Sequence, residues 1–196
     1  LAPMLEEDIA FSSIAQDELA HAQVLYDTIG AWTGRGGDHV AYGRTPGEYR
    51  CAALVEVADD LQWDVAIARQ FFCDHFDLLR LGRLARSNDE QLAALTHRLA
   101  AEERVHVEHM DHWITQLGKA GGEARERTQR ALDRLAPAAS LLFEPTEGMA
   151  LLEESGQREH AALLLREAED WEGLAGLALR HADSLVKQGR GRTLLD

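Results

Sequence analysis

Between Leu92 and Leu117, apolar residues return every third or fourth position as Leu92, Leu95, Leu99, Met110, Trp113 and Leu117. This is the stripe of a buried amphipathic helix. Two polar residues, Glu103 and His106, interrupt the same line. Residues three apart on a helix share a face, so both side chains point into the core. Burying them without partners is costly, and a metal ion is one way to offset that cost.

A single Glu-x-x-His arises by chance on many surface helices. This chain carries a second copy near its start, where Phe11, Ile14, Glu18, His21, Leu25 and Thr28 form another mostly apolar line. Two helices that each turn Glu-x-x-His inward are the arrangement of ferritin-like four-helix bundles with a dinuclear iron or manganese site. The duplication on buried faces favours metal over two ordinary satisfied pairs.

The remaining pattern is helical throughout. Pro3 suits a helix start, with Glu6, Glu7 and Asp8 placed to complement the dipole, and the first helix is expected to run to about Thr28 and stop at Gly30. Thr33 to Asp38 reads as a loop, and His39 to Val57 as a short helix or an irregular lid broken at Pro46-Gly47. A strong helix follows from about Leu61 to Arg86. Asn88 is the expected cap of the next, which reaches about Lys119 before Gly121-Gly122. An Arg-rich helix from Glu123 to Leu135 should end before Pro137. A short helix starts at Pro145 and ends at Gly156, and a last one spans roughly Arg158 to Lys187 with a small-residue stripe suited to close packing. The chain is therefore read as one all-α, ferritin-like domain over 1–196. Its core bundle is about 4–120 and its additional C-terminal helices about 123–187. Because Leu1 is no initiator Met and the helical pattern is already under way by Met4, residues before Leu1 are expected to have been lost or trimmed.

Composition narrows the partners. Asp and Glu number 34 against 20 Lys and Arg, a formal charge of −14, which argues against nucleic acid and anionic membrane surfaces. No apolar run approaches the roughly 18 residues of a membrane span, and no signal peptide is visible. Cys51 and Cys73 make no CxxC motif and no disulfide framework, so a reducing cytoplasm is the default location.

A dinuclear site needs further acids on buried faces. Asp74 lies in line with Ile67, Phe71, Leu78 and Leu81, as a ligand or as a hydrogen-bonded partner of one. Asp77 sits one residue off that line, and His75 faces elsewhere. No fourth carboxylate is evident between Arg125 and Asp196. If it comes from a helix before Leu1, the site in this chain is incomplete. His109 and His112 rotate away from His106 round the helix and read as surface residues. Gly189 to Thr193 reads as a connector, and no Gly-x-Ser-x-Gly, P-loop or dinucleotide fingerprint is present.

The segments LEEDIAFSSIAQDELAHAQVLYDTIG, VAIARQFFCDHFDLLRLGRL, AEERVHVEHMDHWITQLG and SLLFEP, in this order, resemble the PaaC family. Its members are the smaller ferritin-like subunit of the multicomponent phenylacetyl-CoA ring-epoxidising monooxygenase of aerobic phenylacetate degradation. The resemblance runs from Leu5 to about Pro145, is looser beyond, and implies a further helix before residue 1 that would carry the fourth carboxylate. IARQFF followed by Asp74 is its most specific piece. It implies a larger, related catalytic oxygenase subunit as partner, holding the working di-iron centre and the acyl-CoA, together with self-association. By position it makes Glu18, His21, Glu103 and His106 the paired ligands and Asp74 the acid after IARQ. Many relatives have a degraded metal site, whereas both pairs are whole here.

Three readings follow. The first is a PaaC-like subunit supporting the catalytic di-iron subunit. If it holds iron, Glu18 and Glu103 bridge two ions and His21 and His106 are terminal, with oxidation of the substrate itself on the partner. The second is a metal-free structural scaffold in which Glu103 pairs with His21 and Glu18 with His106. The third is a free-standing ferritin-like di-metal oxidase or storage protein, for which the fourth acid is wanting.

Overall fold

The structure, a computed structural model, describes residues 2–56, 62–143, 184, 186 and 187. It comprises helices α1 (Leu5–Thr33), α2 (Gly37–Tyr42), α3 (Ala53–Glu56), α4 (Trp63–Leu84), α5 (Glu90–Ala120) and α6 (Gly122–Ser140). Single 3-10 turns occupy Pro46–Glu48 and Leu141–Phe143, and no strand occurs among the described residues. The expected helices beginning at Pro145 and Arg158, and the Gly/Arg connector, lie outside the described residues, apart from Ser184, Val186 and Lys187, which are helical.

The chain forms two compact units, one of Leu1–Cys51 with Leu81–His106 and one of Ala52–Arg80 with Val107–Asp196. In the first, Ile14 and His21 of α1 are buried, together with Leu92, Thr96, Leu99, Ala100, Glu103 and His106 of α5. Apart from Ala100, next to Leu99, the α5 set recurs every three or four residues, as the sequence stripe requires. Within this unit α2 folds back on α1.

Gly30 does not stop α1. The helix continues to Thr33 and ends at Gly34, whose left-handed backbone (φ 66°, ψ 22°) lets its N–H donate to the Gly30 carbonyl. Gly30 is instead a point of close approach, where a Cβ would lie 2.7 Å from the Arg35 carbonyl oxygen and 2.9 Å from the Gly37 nitrogen. The glycine thus serves the turn into α2 rather than the end of α1. Part of the expected loop is accordingly helical, and His39 to Val57 resolves into α2, the Pro46–Glu48 turn and α3 where described. That turn carries a reciprocal capping box between Thr45 and Glu48.

The expected cap of α5 shifts by one residue. Asp89, not Asn88, accepts hydrogen bonds at Oδ1 from the backbone N–H groups of Gln91 (2.9 Å) and Leu92 (3.0 Å). Both candidates can cap, but only Asp89 directly precedes the first helical residue, where its carboxylate reaches the N2 and N3 donors.

In the second unit, Val65, Ile67, Ala68, Phe71 and Phe72 of α4 and Val107, Met110 and Ile114 of α5 are buried with Leu54 of α3. Each of the larger apolar side chains among them contributes about 1.5–3 kcal/mol relative to exposure. α6 adds Thr128, Ala131, Leu132, Leu135 and Ala139 on one face. The helix runs through Pro137 to Ser140 and does not end before it. Proline removes one ladder donor, but Leu135 and Ala139 on either side are buried, and their packing outweighs that loss. Trp63 meets Trp113 edge-on at 5.4 Å, and Arg127 pairs with Asp64 at 2.8 Å, fastening α4 to its neighbours in this unit.

Candidate metal centre

All four motif residues belong to the first unit, on α1 and on the N-terminal part of α5. Glu103 is 0% exposed, and His21 and His106 are buried, while the Glu18 side chain is 35% exposed. One ligand atom each of Glu18, Glu103 and His106 lie within 4.8 Å of one another. His106 Nδ1 stands 3.2 Å from Glu18 Oε1 and 3.3 Å from Glu103 Oε2. His21 joins from the side, its Nδ1 3.9 Å from the same Glu103 oxygen and its ring stacked on His106 at 6.1 Å. Glu103 Oε2 therefore lies between the Nδ1 atoms of two imidazoles.

The two outer nitrogens are also satisfied, by residues the sequence stripe does not reach. His21 Nε2–H donates to Glu102 Oε2 at 2.9 Å, and His106 Nε2–H donates to Asp17 Oδ2 at 3.3 Å. Asp17 and Glu102 each immediately precede a motif glutamate, so both motifs are acid-Glu-x-x-His, DELAH and EERVH. The leading acid of each helix reaches the histidine of the other. The doubled acids were the available signal, but one step along a helix turns about 100°, which hides these residues from a reading of one face.

The electrostatics follow from burial. A fully buried carboxylate is costly unless paired, and here imidazoles offset it. His106 is correspondingly held protonated, its pKa raised to about 11, first by Glu103, then by Glu18 and Asp17, against an opposing effect of burial. Glu18 Oε1 and His106 Nδ1 are both buried and close, yet no hydrogen bond of regular geometry joins them. Two carboxylates and an imidazole converging with polar atoms left in this state are a donor set that suits a divalent transition metal. The residues present fit such an ion.

Asp74 lies on α4 in the second unit, 1% exposed, and accepts a hydrogen bond at Oδ1 from the Gln70 amide. The converging group consists of Glu18, Glu103 and His106 and does not include it. Asp77 pairs with Arg80 at 2.6 Å. His75 uses Nδ1 on the Phe71 carbonyl and places Nε2 3.4 Å from Asp111. His112 is exposed and His109 partly so, as their rotation round α5 requires.

No helix among the described residues is long and apolar enough to cross a membrane. Comparison with known proteins gives the context for this site. The model of the family described as phenylacetic acid catabolic protein matches residues 1–188. The C component of the 1,2-phenylacetyl-CoA epoxidase of Escherichia coli (strain K12) is 31% identical over 156 residues, 79% of this chain. The chain spans 62% of the length of that relative. The ferritin-like helical class of the family agrees with the all-helical described chain. By a family match over almost all of its residues and by its identity to that relative, this chain belongs to the phenylacetic acid catabolic protein family.

Proposed function

We propose that this protein acts as the smaller, PaaC-like subunit of a multicomponent oxygenase that epoxidises an aromatic acyl-CoA such as phenylacetyl-CoA, in the cytoplasm. Its partner is a larger ferritin-like subunit on which the substrate is oxidised. Family membership supports this reading, and so does the similarity to a relative named as one subunit of such an epoxidase.

The chain adds a metal site of its own. The observation that carries this part is the convergence of Glu18, Glu103 and His106 within 4.8 Å. Glu18, Glu103, His106 and His21 would hold the metal, iron first and manganese as the alternative. Iron bound there supplies a redox centre able to react with O₂. The chain's own residues would supply anionic oxygens and, once the His106 proton is displaced, imidazole nitrogens, with a nearly closed surrounding that limits water around Glu103. Asp74 is proposed as a further acid on its burial and its place after IARQ, and an Asp74→Ala variant with altered metal stoichiometry supports that role.

Mixing the purified chain with the larger subunit of the same oxygenase and sizing the mixture tests the assembly. A stable complex whose epoxidation of phenylacetyl-CoA depends on this chain supports the proposal. Separate elution, with activity indifferent to the chain, contradicts it.

The metal-free scaffold has a specific observation in its favour. Each motif carboxylate already has an imidazole within ion-pair distance, Glu103 with His21 at 3.9 Å and Glu18 with His106 at 3.2 Å. A Glu18→Ala/Glu103→Ala variant separates the two readings. Assembly lost in the variant without any loss of metal points to the scaffold.

A further inference from the structure

We propose that the outer face of α1, from Leu5 to Gln23 and on into the groove against α2, docks an amphipathic helix of another protein whose apolar seam is bordered by Lys and Arg.

The face belongs to one helix and its neighbour in the first unit. Leu5, Ile9, Ser12, Gln16, Leu19 and Gln23 all lie open to solvent. Their alternating steps of four and three residues form the seam that one helix offers another. At about 100° per residue, this seam runs along the side of α1 turned away from the buried Ile14 and His21. Leu5 is 71%, Ile9 62% and Leu19 66% exposed. Scattered exposed leucines are ordinary on a surface, but these lie on one line about 27 Å long. Such a line is an unpartnered seam.

The polar members of the seam suit burial. Ser12 Oγ–H donates to the Asp8 carbonyl oxygen at 2.7 Å, so the hydroxyl is satisfied within its own helix. Gln16 and Gln23 carry no charge, and polar side chains within a seam fix the register of the incoming helix. From Leu19 the line enters a groove of about 200 Å³, whose walls include Ala22 and Tyr26 of α1 and Ala41 and Tyr42 of α2. Tyr42 is 71% exposed, and the Tyr49 hydroxyl donates to its carbonyl oxygen at 3.3 Å. An exposed tyrosine in the wall of such a groove is the kind of anchor that dominates docking.

Charge selects the occupant. α1 carries the acids Glu6, Glu7, Asp8, Asp17, Glu18 and Asp27, and neither Lys nor Arg. Asp8 borders the seam near its start, and Asp27 and Asp38 line the groove at its end. Arg44, with its guanidinium 5.9 Å from the centre of the Tyr26 ring, sets one basic group against those two acids. A second copy of α1 laid on the seam, in either direction, meets acids with acids and is disfavoured. An anionic membrane is repelled in the same way. A helix with Lys and Arg beside its apolar line gains from both the seam and the charge.

The probe is a fluorescein-labelled synthetic peptide helix with Leu at the seam spacing and Lys on both borders. One control carries Glu in place of every Lys, and a second keeps the composition but scrambles the Leu positions. Fluorescence anisotropy reads binding to the full chain, to Ile9→Ser/Leu19→Ser and to Asp27→Asn/Asp38→Asn. The Lys-bordered helix should bind wild type at least about tenfold more tightly than either control. Ile9→Ser/Leu19→Ser should lose about tenfold in affinity, and Asp27→Asn/Asp38→Asn less, with a shallower salt dependence. Equal binding of the ordered and scrambled peptides, or an unaffected Ile9→Ser/Leu19→Ser, overturns the proposal as general charge attraction. Equal binding of the Glu-bordered helix overturns the choice of partner. Sedimentation and thermal melting of the isolated chain address the other occupants. Dimers that are lost in Ile9→Ser/Leu19→Ser assign the seam to a second copy. A lowered melting temperature in that variant assigns it to packing within the chain, and either result overturns the proposal.

Discussion

Glu103 Oε2 lies 3.3 Å from His106 Nδ1, one turn along the same helix, with the Glu103 side chain fully closed to solvent. The pair belongs to α5, and the carboxylate could not be buried there without the imidazoles beside it. In chelated protein, Glu103→Gln should therefore lower stability by about 3 kcal/mol, because it leaves a buried imidazolium without its main partner. Glu18→Gln, at a carboxylate that is 35% exposed, should cost about 1 kcal/mol or less. Urea titration of the two variants checks the order, and equal losses would contradict it.

The pH dependence of the chelated protein follows from His106. Its folded pKa is raised to about 11, whereas an unfolded histidine titrates near about 6.5. The folded state thus binds the proton more tightly, and the stabilisation is complete below the unfolded value. It declines as pH rises through the window between the two values and is gone above the folded one. Metal must displace this proton, so metal affinity should rise over the same window. Denaturation midpoints measured at increasing pH should fall in wild type, and more gently in His106→Ala. Parallel curves would count against the assignment.

Gly30 and Gly82 should respond in opposite directions to alanine. At Gly30 a Cβ meets backbone atoms at 2.7 and 2.9 Å, and the turn into α2 must shift to admit it. A loss of about 1–3 kcal/mol is expected even though alanine is the better helix former. At Gly82, within α4, a Cβ meets nothing within 4 Å, and Gly82→Ala should stabilise by about 0.5–1 kcal/mol. Thermal unfolding of both variants decides the matter, and a stabilised Gly30→Ala would show that the approach is not tight.

The start of α5 depends on Asp89. Asp89→Ala removes the acceptor of two backbone N–H groups and should cost about 1 kcal/mol, whereas Asn88→Ala should stay within about 0.5 kcal/mol, as urea titration of both would read. The reverse order would return the cap to Asn88.

The long helices among the described residues and the inward direction of Glu103, His106 and His21 were legible in the sequence because one periodicity, three to four residues, governs both apolar burial and ligand placement. The outer acids were not legible by that route. Asp17 and Glu102 lie off the buried stripe and act across to another helix, a relation that only the packing of α1 on α5 reveals. Local ends were the other weak point. Gly30 looks like a stop signal, but its function is to let backbone pass, and Gly34 ends the helix. Pro137 looks like a terminator, but burial of Leu135 and Ala139 carries α6 beyond it. In each case tertiary contact overrode a local signal.

Whether the paired motifs hold metal is the question on which the rest depends. Elemental analysis of protein purified without chelators, beside a Glu18→Ala/His106→Ala variant, tests it most directly. About two transition-metal ions per wild-type chain are expected, iron foremost, with their loss in the variant. Wild-type protein without metal would contradict the metal centre and leave four polar side chains pairing among themselves.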